Sequence, residues 1–129
     1  MIIVATTNDS LTLVTQAALA CGKHVLVEKP AARNVAELVP LMQVAQQVNR
    51  VVKVGLTIAF IRPSKTRAIF DSGALGPLMY IRARYGHGGR LGYEREWRAN
   101  PQIAGGGELL DQGIHLIDLA RWFAGDSST

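Results

Sequence analysis

Three short apolar runs constrain the fold most: Ile2-Ile3-Val4-Ala5, Val25-Leu26-Val27 and Val51-Val52-Lys53-Val54-Gly55. The first two lead into helix-patterned stretches. Strands that lack regular polar alternation are buried on both faces, and strands joined through helices run parallel. The chain therefore reads as α/β, with a parallel sheet covered on both sides. The spacing predicts a helix over about 10–21, capped by Asp9 or Ser10. Leu11, Val14, Ala18 and Cys21 form its apolar face, and Gly22 stops it. A second helix is expected over about 35–48, capped by Asn34, with Leu38, Leu41, Val44, Ala45 and Val48 on one side. Pro40 is placed to kink or shorten it.

The pattern changes after about residue 60, which sets an expected boundary between residues 1–61 and 62–129. Pro63 opens a predicted helix that runs to about Asp71. Residues 78–86 are rich in strand formers, and a Gly-rich loop from His87 to Gly92 follows. Gly105-Gly106-Gly107 leads into a predicted helix over about 108–124. Its apolar residues spread over much of the circumference, so it should be mostly buried.

Charge and composition exclude several functions. The net charge is +4 over 129 residues, and the 14 Lys and Arg are scattered without a run, which is no nucleic-acid footprint. No apolar stretch approaches the ~18 residues of a membrane span. Met1-Ile-Ile-Val-Ala lacks the basic start of a signal peptide. The single cysteine, Cys21, cannot form an internal disulfide, which fits a reducing, cytoplasmic setting; its helical position points to core packing.

The last helix carries the strongest chemical signal. Asp111, His115 and Asp118 stand at i, i+4 and i+7 among apolar residues. An acid and an imidazole one turn apart on a buried helix need partners, because unpaired burial is costly. Two readings stay open: an acid/base pair facing a pocket, or a His–Asp bond tying the helix to a neighbour. A metal site lacks a third strong ligand. Gly105–Gly107 serves either as a flexible approach to the helix or as a close backbone approach to a ligand.

Glu28-Lys29-Pro30 falls at the carboxyl end of a predicted parallel strand, where open α/β sheets bind ligands. A lysine there can stabilise a substrate hydroxyl or developing alkoxide; the alternative is a surface lysine in a tight turn. A cis bond before Pro30 is open to this tripeptide. Thr6-Thr7-Asn8 ends the first strand and opens on the same crevice, or simply caps a helix. His24 is read as structural. His87, Arg62 and Arg98 are candidates to reach a polar ligand, and Trp97 is read as packing. No Gly-x-Gly-x-x-Gly stands at a strand-to-helix turn, so no dinucleotide fingerprint is visible.

Two blocks carry a resemblance: Gly22-Lys23-His24-Val25-Leu26-Val27-Glu28-Lys29-Pro30, and Gly105-Gly106-Gly107 through Asp111-Gln112-Gly113-Ile114-His115-Leu116-Ile117-Asp118. With Ala5–Asn8, Arg62-Pro63, Ser72–Gly76 and Trp97-Arg98, they make the chain resemble the Gfo/Idh/MocA oxidoreductases along essentially its whole length. The resemblance implies the C-terminal half of a Rossmann-type parallel sheet, followed by the start of an α/β domain with a mostly antiparallel sheet. It implies NAD or NADP as cofactor and hydride transfer to or from a hydroxyl-bearing carbon of a sugar, polyol or related substrate. Lys29 matches the lysine that orients the reacting oxygen, His115 the acid/base, and Asp111 the substrate-positioning carboxylate. Thr6, Thr7, Asn8, Glu28, Lys29 and Pro30 match cofactor-side loops, and Arg98 and His87 fall on the substrate side. The full-length form is expected to be a homo-oligomer.

The same resemblance places a glycine-rich turn ahead of Met1 and further strands after Thr129. The 129 residues alone are therefore expected to bind NAD(P) weakly or not at all. A catalytically incompetent remnant or association module is the alternative reading.

Overall fold

The computed structural model describes residues 1–56, 63–86 and 89–125. Strand β1 (Ile2–Val4) leads to helix α1 (Asn8–Ala20), β2 (Val25–Glu28), helix α2 (Val35–Gln47) and β3 (Val52–Gly55). The strands form a parallel sheet in the order β1-β2-β3, with Val4 opposite Val27 and Glu28 opposite Gly55. Helix α3 (Pro63–Asp71) follows. Two 3₁₀ turns (Tyr93–Arg95 and Trp97–Ala99) precede the short helix α4 (Pro101–Ala104). A π-helical turn, Leu109–Gly113, then runs directly into α5 (Ile114–Ala124).

Helix ends follow local chemistry. Asn34 caps α2 by accepting from the Glu37 N–H at 3.0 Å. Gly22, at φ +68°, ends α1 while its N–H reaches the Leu19 carbonyl and that of Lys23 reaches Ala18. Asn49 takes the same left-handed role after α2. Pro40 lies inside α2 on its exposed side, and the helix continues through it to Gln47. The start of α1 differs from expectation. The cap position is Thr7, whose hydroxyl donates to Asp9 Oδ1 at 2.6 Å, and Asn8 is already helical.

The core is a single cluster: Val4, Leu11, Leu19, Val25, Val27, Ala31 and Leu41. It joins both helices to one face of the sheet. Ile3 on the opposite face is 66% exposed, so the expected cover on both faces is not formed among the described residues. The buried stripe of α1 is Asn8, Leu11, Thr12, Thr15 and Leu19; Ala18 packs against the core as expected, while Val14 and Cys21 do not. Val14 is exposed, and so is Cys21, because the helix ends at Ala20 and the chain turns away there.

Two further expectations fail. Residues 78–86 form no strand, since no partner strand lies beside them among the described residues, and the antiparallel sheet is absent there. The last helix is not mostly buried: His115 is its one buried residue, and Leu109 and Ile117 face outward. Among the described residues, no helix is long and apolar enough to cross a membrane.

Candidate active site

The carboxyl ends of β1 and β2 open on one cleft of about 300 Å³. Ala5, Thr6, Thr7 and Asn8 come from the loop after β1, and Glu28 and Lys29 from the end of β2. Trp97, Arg98 and Asp111 close it from the second half of the chain. Open parallel sheets bind ligands in crevices outside the carboxyl ends of their strands.

Lys29 sits in a turn closed by the Ala31 N–H donating to the Glu28 carbonyl at 3.0 Å, with a cis bond between Lys29 and Pro30. Its ammonium donates to the main-chain carbonyl of Asp111 at 2.6 Å and pairs with the Asp111 carboxylate. Both side chains are about one-fifth exposed. Burial pushes the Asp111 carboxyl up. The Lys29 hydrogen bond and charge, with Arg98 beyond, more than offset it and hold it below its ordinary value. Asp111 is therefore a carboxylate, and an acceptor only, at neutral pH.

His115 lies one turn further on and is 9% exposed. Its Nδ1 is buried with no hydrogen-bond partner among the described residues, and the Tyr85 ring meets its ring edge-on at 6.2 Å between centroids. Burial first, then the Lys29 charge, lowers the imidazole below its ordinary value; Asp111, Asp118 and Glu28 pull in the opposite direction. The net result is a neutral ring at neutral pH, able to accept a proton. His115 is near enough to Lys29 and Asp111 to feel both charges, although it does not itself line the cleft.

The loop after β1 is fixed by Asn8, whose buried amide donates to the Ala104 carbonyl at 2.9 Å. That bond ties the sheet to α4. Gly105 closes α4 at φ +80°, and a Cβ there would fall 2.3 Å from Arg33 Cβ. This glycine serves a turn and a close approach. Arg33 spans the same junction, donating to Glu37 and to the Gln102 carbonyl.

Among the sequence candidates, Thr6, Thr7, Asn8, Glu28, Lys29, Arg98 and Asp111 line one cleft, with Pro30 in the adjoining turn. Arg98 lies over the Trp97 ring at 4.4 Å and 3.7 Å from Glu96 Oε2. Trp97, read from sequence as packing, is part of the cleft wall. His87 and Arg62 lie outside the described residues. Tyr85 escaped the sequence reading because nothing in its strand-like setting ties it to a residue 30 positions on. His24 is structural as expected: its Nδ1 accepts from the Val51 N–H at 3.1 Å. No metal-binding cluster occurs among the described residues.

The carboxyl-end loops of the parallel sheet thus meet a lysine and a carboxylate at one cleft, with a buried imidazole one turn further along the last helix. Residues 1–56 match a family model described as an oxidoreductase family with an NAD-binding Rossmann fold. Residues 64–129 match the Gfo/Idh/MocA C-terminal domain. The chain belongs to the Gfo/Idh/MocA oxidoreductase family. Levoglucosan dehydrogenase of Pseudarthrobacter phenanthrenivorans is 29% identical over 128 residues, which are 97% of this chain and 33% of that protein. An inositol dehydrogenase homologue from Azotobacter vinelandii, solved with NAD+, superposes with a TM-score of 0.83 at 31% identity. The match covers 95% of this chain and 33% of that one. A levoglucosan dehydrogenase solved with NADH and levoglucosan gives 0.81 at 27% identity, over 96% of this chain and 34% of the other. The chain thus spans about a third of the length of these relatives.

Proposed function

We propose that these residues form the hydride-transfer site of an NAD(P)-dependent dehydrogenase. Its substrate would be a sugar, polyol or related compound bearing a secondary hydroxyl. The observation that carries this reading is the meeting of Lys29, from the loop after β2, with Asp111, which stands one turn before the buried His115 on the last helix. Residues 82 positions apart meet there at the mouth of a parallel sheet. The similarity to dehydrogenases solved with NADH or NAD+ supports the cofactor.

The residues present fit the nicotinamide end of such a cofactor. The wall of the cleft at Ala5–Asn8 and Glu28–Lys29 is loop backbone with small or polar side chains, open enough for a flat ring. Thr6, Thr7, Asn8, Glu28 and Pro30 would hold that end, and Arg98 and His87 the substrate. The cofactor such a site would hold, NAD(P)+, would supply the acceptor for the hydride of the carbinol carbon. The chain's own work is on the oxygen. The Lys29 ammonium donates to the reacting oxygen and stabilises it as the O–H bond weakens. Neutral His115 takes the hydroxyl proton, so the carbinol loses one hydride and one proton and becomes a carbonyl. Asp111 fixes the lysine and accepts from a substrate hydroxyl.

We place the domain boundary at residues 61/62, supported by family matches that end at 56 and resume at 64. The test uses the native polypeptide that contains residues 1–129, supplied with NAD+ or NADP+ and a panel of sugars and polyols. Reduced nicotinamide should appear with at least one of them and be lost in His115→Asn. No turnover on any carbinol would reject the reading.

A further inference from the structure

The residues from 108 to 124 are helical throughout, yet their first part, Leu109–Gly113, is a π-helical turn rather than an α-helical one. A π turn closes i→i+5 hydrogen bonds and holds one residue more than an α turn, so one carbonyl drops out of the regular ladder. A carbonyl released in a partly buried place needs another donor. Within this turn, the Asp111 carbonyl receives the Lys29 ammonium at 2.6 Å. The same ammonium is paired with the Asp111 carboxylate.

We propose that the π turn at Leu109–Gly113 is a positioning element of the site: it releases the Asp111 carbonyl so that one residue grips the Lys29 ammonium with both its main chain and its side chain. The consequence is geometric. An ammonium has three N–H bonds. A carboxylate alone fixes one of them and leaves the group free to rotate about it. Two acceptors from a single residue fix two, and the third direction is then set by the tetrahedral nitrogen. Because Lys29 and Asp111 both line the cleft, that third N–H is the one available to a ligand there.

Local sequence favours the wider turn. Gly113 ends it, and glycine is the weakest α-helix former apart from proline, so it gives the regular ladder least support there. The Leu109 side chain lies across Gly113, where a Cβ would stand 2.7 Å from Leu109 Cδ1. Leu109 and Gly113 thus nest at the two ends of the same turn. Helix α5 resumes at Ile114, which keeps His115 buried.

The chemical role assigned to Lys29 rests on the proposed dehydrogenase function; the grip itself does not. The test therefore reads the grip without turnover. The full chain is labelled with 13C at main-chain carbonyls, and the Asp111 carbonyl shift is compared with that of Lys29→Met. Removing the charged donor should move the Asp111 signal upfield and leave Leu110 and Gln112 in place. A second chain lacks Gln112, which removes the extra residue and restores α-helical spacing. There the Asp111 signal should take an ordinary helical value and no longer respond to Lys29→Met. An Asp111 shift indifferent to Lys29→Met in the intact chain overturns the proposal, as does an equal response in both chains. If the deletion chain does not fold, the intact-chain comparison decides alone. Turnover measured in parallel reports separately on the dehydrogenase reading.

Discussion

Lys29 and Asp111 stand 82 residues apart in sequence, and the lysine ammonium meets the main-chain carbonyl of the aspartate at 2.6 Å while pairing with its carboxylate. This relationship joins the sheet half of the chain to the helical half at the cleft. It also contributes to the charge states around it. Burial first and the Lys29 charge second keep the His115 imidazole neutral, and the carboxylate that the lysine touches stays ionised.

The His115 titration follows. Its folded midpoint lies below the ordinary 6.5, with burial the first cause and Lys29 the second. A depressed folded value means that the unfolded chain binds the proton more readily. Stability is therefore full above about 6.5 and falls as pH drops toward the folded value. NMR titration of the ring should give a midpoint below 6.5. It should rise in Lys29→Met, where a positive neighbour is lost, and fall further in Asp111→Asn, where a negative one is lost. Movement of both variants in the same direction would contradict this electrostatic account.

Asp111 makes the companion prediction at low pH. Its folded value lies below 3.8, held down by Lys29 and Arg98 against burial. The stabilisation is present above the unfolded value and is lost as pH falls through the folded one. Denaturant melts from pH 6 to pH 2 should show Asp111→Asn with a flatter acid limb than the parent. At neutral pH, Lys29→Met should cost about 1.5–3 kcal/mol, the range for a hydrogen bond to a charged group.

Gly105 is a structural test of the junction. It adopts φ +80°, and an added Cβ would fall 2.3 Å from Arg33 Cβ and 3.0 Å from Arg33 Cα. Gly105→Ala should lower stability by at least about 2 kcal/mol, from the left-handed backbone and the overlap together. At Gly107, no atom lies within 4 Å of the added Cβ. Gly107→Ala should stay within about 0.5 kcal/mol of the parent. Equal thermal midpoints for the two variants would show that the Gly105–Arg33 contact carries no weight.

Much of this arrangement was legible in the sequence. The short apolar runs located the three strands seen among the described residues, and Asn34, Gly22 and Pro63 marked helix ends that the structure keeps. Lys29 was a candidate from its place at a strand end and Asp111 from its helical spacing with His115, the family resemblance gave both their roles, and they meet. The burial of α1 was misread because Thr12 and Thr15 are polar by composition yet lie inward, while Val14 and Cys21 lie outward. Periodicity follows side-chain type, and the helix rotates to suit its neighbours. The π turn left no trace, because one extra residue among leucines still resembles a helical pattern. Residues 78–86 show the other limit: strand formers pair only where a partner strand supplies the ladder.

The central claim is that Lys29 and His115 act on one reacting oxygen. The direct measurement is the single-turnover hydride-transfer rate in the native polypeptide that contains these residues, for Lys29→Met, His115→Asn and the double variant. Each single change should slow transfer by roughly 10²–10⁴-fold. The double variant should be little slower than the worse single one, since groups acting as a unit are not additive. Losses that multiply in full, or rates that match the parent, would contradict the account.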